Sequence, residues 1–400
     1  MTSQQSAAAA ARRWQIELRP RPPLLLRLLS PVVALFVTAI SAFVLMLWMN
    51  KDPLQGLMVF FVTPMENLRG WGEIGLRMTP LLLCALGLAL CYRANVWNIG
   101  AEGQLVAGGI AAGAVGLLAG PDTFSAYFVL VLLAGMLGGL CWGALIAVLR
   151  DRFNANEILV SLMLVYIAQF FLMYLVHGPL KDPNGYNFPY SAYFESAAMV
   201  PHILAPTRLN IGFILALIAA LILTVFLGRS VLGYRLQVAG MAPRAARYAG
   251  FSERQGIWIS LTVCGALAGL AGALEVAGPI GQLTPSISPG YGFAAIIVAW
   301  LGRLNPLGCI AAAFVMSVVY IGGELAQSRL GLPNAISGVL QGVLLLSLLT
   351  VDSLIGYRLR RTASAASGDF ELRRTASAAS GDFESRRTAS TASGDAGKEG

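Results

Sequence analysis

The chain has 400 residues, 56% of them hydrophobic and only 12% charged, with a formal net charge of +8 and a mean hydropathy of +0.69. Soluble domains are roughly 45–50% apolar, so this is the composition of an integral membrane protein. About 20 apolar residues are needed per helical span, so the length provides many crossings and excludes a sizeable soluble domain.

In chain order, residues 1–30 hold five Arg, three Pro and an Ala run, and read as a basic cytoplasmic tail. The first apolar run, Val32 to Met49, is about 18 residues long. A secretory signal has an apolar region of about 7–15 residues and then a small-residue cleavage site; none is visible before Lys51, which predicts an uncleaved first span. Apolar runs predict helices near 31–49, 74–91, 99–119, 124–149, 157–176, 210–228, 257–277, 306–325 and 333–350, with a run at 291–302 that has the length of a half-span. The expected fold is all-α: a polytopic membrane domain over residues 31–352 with about ten transmembrane helices.

Lys and Arg in short loops mark the cytoplasmic side. The segments 1–30, 92–98, 150–156, 229–256, residue 303 and 351–361 hold seventeen, against five (Lys51, Arg69, Lys181, Arg208 and Arg329) in the alternating loops. Both termini are therefore expected in the cytoplasm. The net positive charge then reflects mostly this topological bias plus the tail, and no nucleic acid is expected as a partner.

The five Cys (Cys84, Cys91, Cys141, Cys264 and Cys309) lie in or beside apolar runs without a CxxC pair, and read as small core residues rather than metal ligands or disulfides. The two His, His177 and His202, share one polar region, so neither a His-based metal site nor a His triad fits within the spans. Gly135, Gly138, Gly139 and Gly143, and again Gly265, Gly269 and Gly272, form small faces. No hydrophobic force draws helices together in lipid, and such faces permit close backbone approach.

Against this background the stretch RANVWNIGAEGQLVAGG, Arg93 to Gly109, carries two Asn, a Gln, a Glu, an Arg and a Trp. It has two readings. Irregular polar sequence at membrane depth is tolerated where it is buried in protein or lines a water-filled cavity. Alternatively, Asn95 or Asn98 caps a helix with Glu102 in its first turn.

Residues 229–256 form the longest internal cytoplasmic segment, with Arg229, Arg235, Arg244, Arg247 and Arg254 among Ala and Gly. They read as an ordinary basic loop, or as a short amphipathic helix whose small residues dock on a soluble partner. AGPIGQLTPSISPGYGF, Ala277 to Phe293, has three Pro and four Gly; it is either a re-entrant or broken-helix element buried in protein or an outer loop. Glu102, Glu157, Glu275 and Glu324 sit in or at the edges of spans, where a charge is costly and often functional; each lines a pathway or is satisfied by hydrogen bonds near a helix end.

From Arg360 a 13-residue unit, RRTASAASGDFEL, occurs three times with small changes. It offers no apolar face, so residues 353–400 read as a disordered cytoplasmic tail; the RRTAS element reads as a phosphorylation site or, more simply, as a tandem expansion. No GxxxxGK[ST] phosphate loop, HExxH or GxSxG occurs, so the chain is not expected to be an enzyme.

NVWNIGAEGQLVAGG resembles a segment of the permease subunits of bacterial ABC importers for ribose-type sugars and nucleosides, a group with relatives for branched-chain amino acids. NANEILVSLMLVYIA (154–168), GYRLQVAGMAPRAARYAGFS (233–252) and GYGFAAIIVAWLGRLNPLG (290–308) fit the same family. The last two are most similar to the nucleoside branch, which uses a basic membrane lipoprotein as binding protein. The likeness covers the membrane region and not the repeats.

It implies the ABC importer permease fold with a broken segment, and a translocation path for nucleosides or a simple sugar, lined or braced by Asn98, Glu102, Gln104, Asn156 and Glu157. It implies a loop coupled to an ATPase through Gly240, Arg244, Ala245, Ala246, Ala249 and Gly250. No cofactor or metal is expected on this chain, since ATP and Mg belong to the partner ATPase. The implied partners are that ATPase subunit, a second permease subunit forming a heterodimer, a periplasmic or lipid-anchored substrate-binding protein and the lipid bilayer. The competing reading is an ion-coupled secondary transporter acting without an ATPase; its usual marks, intramembrane His or carboxylate relays and repeated halves, are not evident.

Overall fold

The computed structural model describes residues 13–18, 24–185, 187–333, 335–355 and 357–362. The chain divides into two units, Met1–Val32 with Leu349–Gly400, and Val33–Leu348. In the first, β1 (Arg13–Leu18) pairs antiparallel with β2 (Tyr357–Thr362), Arg13 opposite Thr362 and Leu18 opposite Tyr357. Segments expected as two separate tails thus share a backbone ladder. The disorder expected of the repeats falls on residues 363–400, outside the described residues.

The helices are α1 (Leu24–Trp48), α2 (Pro53–Leu57), α3 (Leu68–Arg93), α4 (Ala101–Gly116), α5 (Phe128–Phe153), α6 (Glu157–His177), α7 (Gly212–Arg229), α8 (Val231–Met241), α9 (Pro243–Tyr248), α10 (Glu253–Glu275), α11 (Tyr291–Leu301), α12 (Pro306–Leu330) and α13 (Ala335–Ile355). Their limits follow local chemistry. Asn156, Ser230, Ser252 and Asn305 cap α6, α8, α10 and α12 with side-chain oxygens, each satisfying an orphan amide of a first turn. Asn154 and Gly331, both left-handed, stop α5 and α12.

Among the described residues, eight helices (α1, α3, α5, α6, α7, α10, α12 and α13) are long and apolar enough to cross a membrane. The expected count of about ten is not reached by length. The run at 99–119 folds as the 16-residue α4 and that at 291–302 as the 11-residue α11. At 1.5 Å per residue these measure about 24 and 16 Å, short of a hydrocarbon core of about 30 Å. In each case the preceding polar or Gly/Pro-rich residues remain non-helical.

In the Val33–Leu348 unit, α3 is the hub: the most apolar stretch of this helix is 94% buried, against α7, α10, α11 and α12. Beside it, α4, α5 and α10 meet backbone to backbone. A Cβ added to Gly139 would strike the carbonyl oxygen of Gly265, one on Gly143 that of Leu261, and one on Gly108 the Cα of Gly269. The small faces in the sequence are therefore packing faces, as expected in lipid. Helices α6 and α7 are only 28% buried over their apolar stretches.

Four cysteines are buried, but Cys141 is exposed. The core expectation fails there because Leu133, Leu137 and Leu145, on the same helical stripe of α5, are also exposed, opposite the glycines.

The Ala277–Phe293 stretch is a broken helix. Helix α10 passes into one π-helical turn, Val276–Ile280, containing Pro279, and stops at left-handed Gly281. The following chain is irregular, yet Leu283 and Ile287 are buried. Its backbone is satisfied by the 178–211 connection: Ser191 N donates to Leu283 O (3.0 Å), Leu283 N to Ser191 Oγ (2.8 Å) and Phe194 N to Gly281 O (2.9 Å). The reading as a simple outer loop does not hold.

Candidate translocation and coupling sites

Three polar groups stand out from the apolar body. The first is the stretch after α3, where Asn95 takes a left-handed conformation (φ 58) and the chain turns back toward α4. Asn98 Oδ1 accepts from Gly100 N (2.8 Å), and its Nδ2 lies 3.3 Å from both Gln104 Oε1 and Cys264 Sγ. Tyr92 OH donates to Asn98 O (3.0 Å), and Ile99 N to Ser161 Oγ (3.1 Å). Glu102 Oε2 accepts from Gly292 N at the start of α11 (2.6 Å). Asn98, Glu102 and Gln104 are 0%, 1% and 0% exposed. A peptide group left unsatisfied in hydrocarbon costs several kcal/mol, so Asn98, Glu102 and Ser161 complete the backbone bonding of two irregular segments and tie the start of α4 to α6, α10 and α11, while Gln104 Nε2 is buried without a hydrogen-bond partner.

Asn156 and Glu157 sit at the α5–α6 turn. Asn156 is an exposed cap, accepting from Ile158 N (2.9 Å). Glu157 is buried, ion-paired with Arg150, and accepts from Trp97 N (3.4 Å), joining this turn to the first group. Nearby, Asp151 Oδ2 accepts from Arg254 Nε (2.7 Å) and Trp258 Nε1 (3.1 Å).

The second group centres on Arg77, in the half of α3 nearer Leu68. Its guanidinium meets Glu324 Oε1 on α12 (2.7 Å), Glu275 Oε1 at the end of α10 (4.0 Å) and the hydroxyl of Tyr291 at the start of α11. Tyr291 packs edge-on against Tyr320 (centroids 5.5 Å). Arg77 Nε is buried without a hydrogen-bond partner, while the Glu324 side chain is 50% exposed. Four helices thus converge on a charged cluster that reaches the surface. Glu275 and Glu324 were candidates from sequence; Arg77 and Tyr291 were not, although a lone cation inside an apolar run was a usable signal.

The third group is the α8–α9 hairpin. Arg244, Ala245, Ala249 and Gly250 are exposed, together with Met241 (82%) and Tyr248 (96%). Arg247 pairs with Glu253 at 3.3 Å. Gly250, at φ 74, ends α9 where a side chain would be strained. Gly240 is half-buried against Arg93 O, and Ala246 is only 3% exposed. Gly240 and Ala246 therefore hold the hairpin to its own chain, and the outward face is formed by Met241, Arg244, Ala245, Tyr248, Ala249 and Gly250. Among the described residues there is no group of His, Cys, Asp and Glu that could hold a metal.

A family model described as branched-chain amino acid transport system / permease component matches residues 70–349. The chain is 32% identical over 355 residues to the glucose ABC transporter permease protein TsgB13 of Haloferax volcanii, covering 86% of this chain and 93% of that one. It is 30% identical to the guanosine ABC transporter permease protein NupP of Bacillus subtilis, over 80% of this chain and 92% of the relative. It is 29% identical to the nucleoside ABC transporter permease protein NupB of Lactococcus lactis, over 80% and 90%. No solved structure shows a significant match.

Proposed function

The chain belongs to the family of branched-chain amino acid transport system permease components, and we propose that it forms, with a second and different permease subunit, the translocation path of an ABC importer for nucleosides. The observation that carries this reading is similarity over most of the chain to permeases named for guanosine and nucleosides; the glucose permease relative makes a simple sugar the alternative cargo. A separate ATPase subunit supplies the energy, engaging the exposed α8–α9 face, and a periplasmic or lipid-anchored protein delivers the solute to the opposite side. The charge bias supports cytoplasmic termini at an inner membrane, and α4 and α11, each taken with the irregular chain before it, are the two further crossings of a ten-span arrangement.

The side chains divide the work. Asn98, Glu102, Gln104 and Glu157 brace the irregular segments, and Asn156 caps α6. Glu324 and, in part, Arg77 present an acceptor and donors toward the surface, backed by buried Glu275 and Tyr291, an arrangement suited to a neutral hydrogen-bonding solute. The test is uptake of labelled guanosine and glucose in a strain lacking this gene, with and without the complementing gene. Restored nucleoside uptake that requires the ATPase gene is expected; restored glucose uptake alone overturns the cargo, and uptake driven by an ion gradient without the ATPase overturns the coupling.

A further inference from the structure

A cavity of about 600 Å³ opens where α7 turns into α8, against the end of α3 and the first turn of α12. Its volume lies in the roughly 300–1,000 Å³ range of small-ligand sites. Its polar lining includes Arg93, Arg229, Ser230, Tyr234, Gln237 and Asn305, and no acidic side chain. Neither arginine is ion-paired with a described carboxylate. Arg93 is fixed through Nε to Leu304 O (2.7 Å), and Gln237 Nε2 closes the α7–α8 corner on Leu227 O (2.9 Å). Helices α8 and α12 begin at the rim, capped by Ser230 and Asn305, while α3 and α7 end there at Arg93 and Arg229, so the helix dipoles offset one another and the positive charge of the cavity is that of the two arginines.

We propose that this cavity binds phosphate chemistry, in the form of the phosphodiester headgroup of an anionic phospholipid. Two unpaired arginines beside hydroxyl donors match a phosphate, and basic pockets among the ends of membrane helices suit anionic headgroups. The lipid source follows from α7. Ile218, Leu221, Ile222 and Val225 are exposed along this helix (46%, 60%, 63% and 53%), an apolar track for acyl chains that ends at exposed Arg229.

The test uses the assembled full-length transporter in nanodiscs of phosphatidylcholine containing a minority of phosphatidylglycerol, with retained lipid counted by native mass spectrometry. The wild type should retain phosphatidylglycerol over phosphatidylcholine. Arg229→Gln, at an exposed position whose side chain makes no hydrogen bond among the described residues, should lower that preference about fivefold, as expected for one arginine near a lipid surface. Arg93→Gln should do the same, but it also removes the bond to Leu304, so Arg229→Gln is the deciding variant. Arg329→Gln, outside the cavity, should have no effect. Equal retention of both lipids, or an unchanged preference in Arg229→Gln, overturns the site. Displacement of phosphatidylglycerol by millimolar inorganic phosphate assigns the cavity to a free anion and overturns the lipid assignment.

Discussion

Glu102→Ala separates a brace from a path-lining residue. The substitution removes the acceptor 2.6 Å from Gly292 N, at a position 1% exposed. A buried donor left without its partner costs about 1–3 kcal/mol, and the upper part of that range applies because the acceptor is a carboxylate. Truncating the side chain also leaves a void between α4 and α11, whose filling atoms are lost with no replacement. A destabilisation of about 2–4 kcal/mol is therefore expected. Glu102→Gln retains an oxygen at the same reach and should recover much of it. Unfolding in a graded detergent mixture measures the stability, and the KM for uptake by the surviving folded protein measures contact with the solute. The expected result is lowered stability with unchanged KM. Unchanged stability with a raised KM would refute the brace, and equal losses in the Ala and Gln variants would refute the hydrogen-bond argument.

Three other outcomes follow from the same geometry. Gly139→Val places a side chain on the carbonyl of Gly265, and should abolish folded protein in the membrane, read by size-exclusion of a fluorescent fusion; normal yield contradicts the backbone contact. Arg77→Gln leaves Glu275 and Glu324 without their shared cation, and uptake should fall at least about tenfold, the effect of losing about 1.4 kcal/mol of stabilisation along the path; wild-type uptake removes the cluster from the path. Arg244→Glu with Tyr248→Asp, both on the exposed hairpin face, should leave the protein in the membrane and the binding protein's affinity intact while ending uptake and ATPase stimulation; normal import dissociates α8–α9 from coupling.

The all-α membrane body and the glycine faces were legible because each depends on local composition: apolar runs of span length, and small residues spaced at one helical turn. The polar stretch after Arg93 was legible as an anomaly, but its two readings differed only in what surrounds it. Burial of Asn98, Glu102 and Gln104 against α6, α10 and α11 depends on contacts more than 150 residues away for Cys264 and Gly292, which no local pattern encodes. Ala246 illustrates the same limit on the hairpin. Its small side chain fits an interface or an interior equally well in sequence, and the fold turns it inward. The Arg77 cluster was half legible: its carboxylates stood out at span edges, whereas the cation joining them sat in a run treated as uniformly apolar.

The seam of α4, α5 and α10 has a consequence for inheritance. Any amino-acid change one base away from a glycine codon adds at least a Cβ, and at Gly108, Gly139 and Gly143 that atom meets backbone, which no change of rotamer can move aside. A leucine facing lipid on α6 can drift to isoleucine, methionine or phenylalanine with its neighbours unaware. The seam has no such neighbouring alternatives, so the chain's freedom to vary lies on its lipid-facing rim, while at these contacts each step away from glycine must displace a helix.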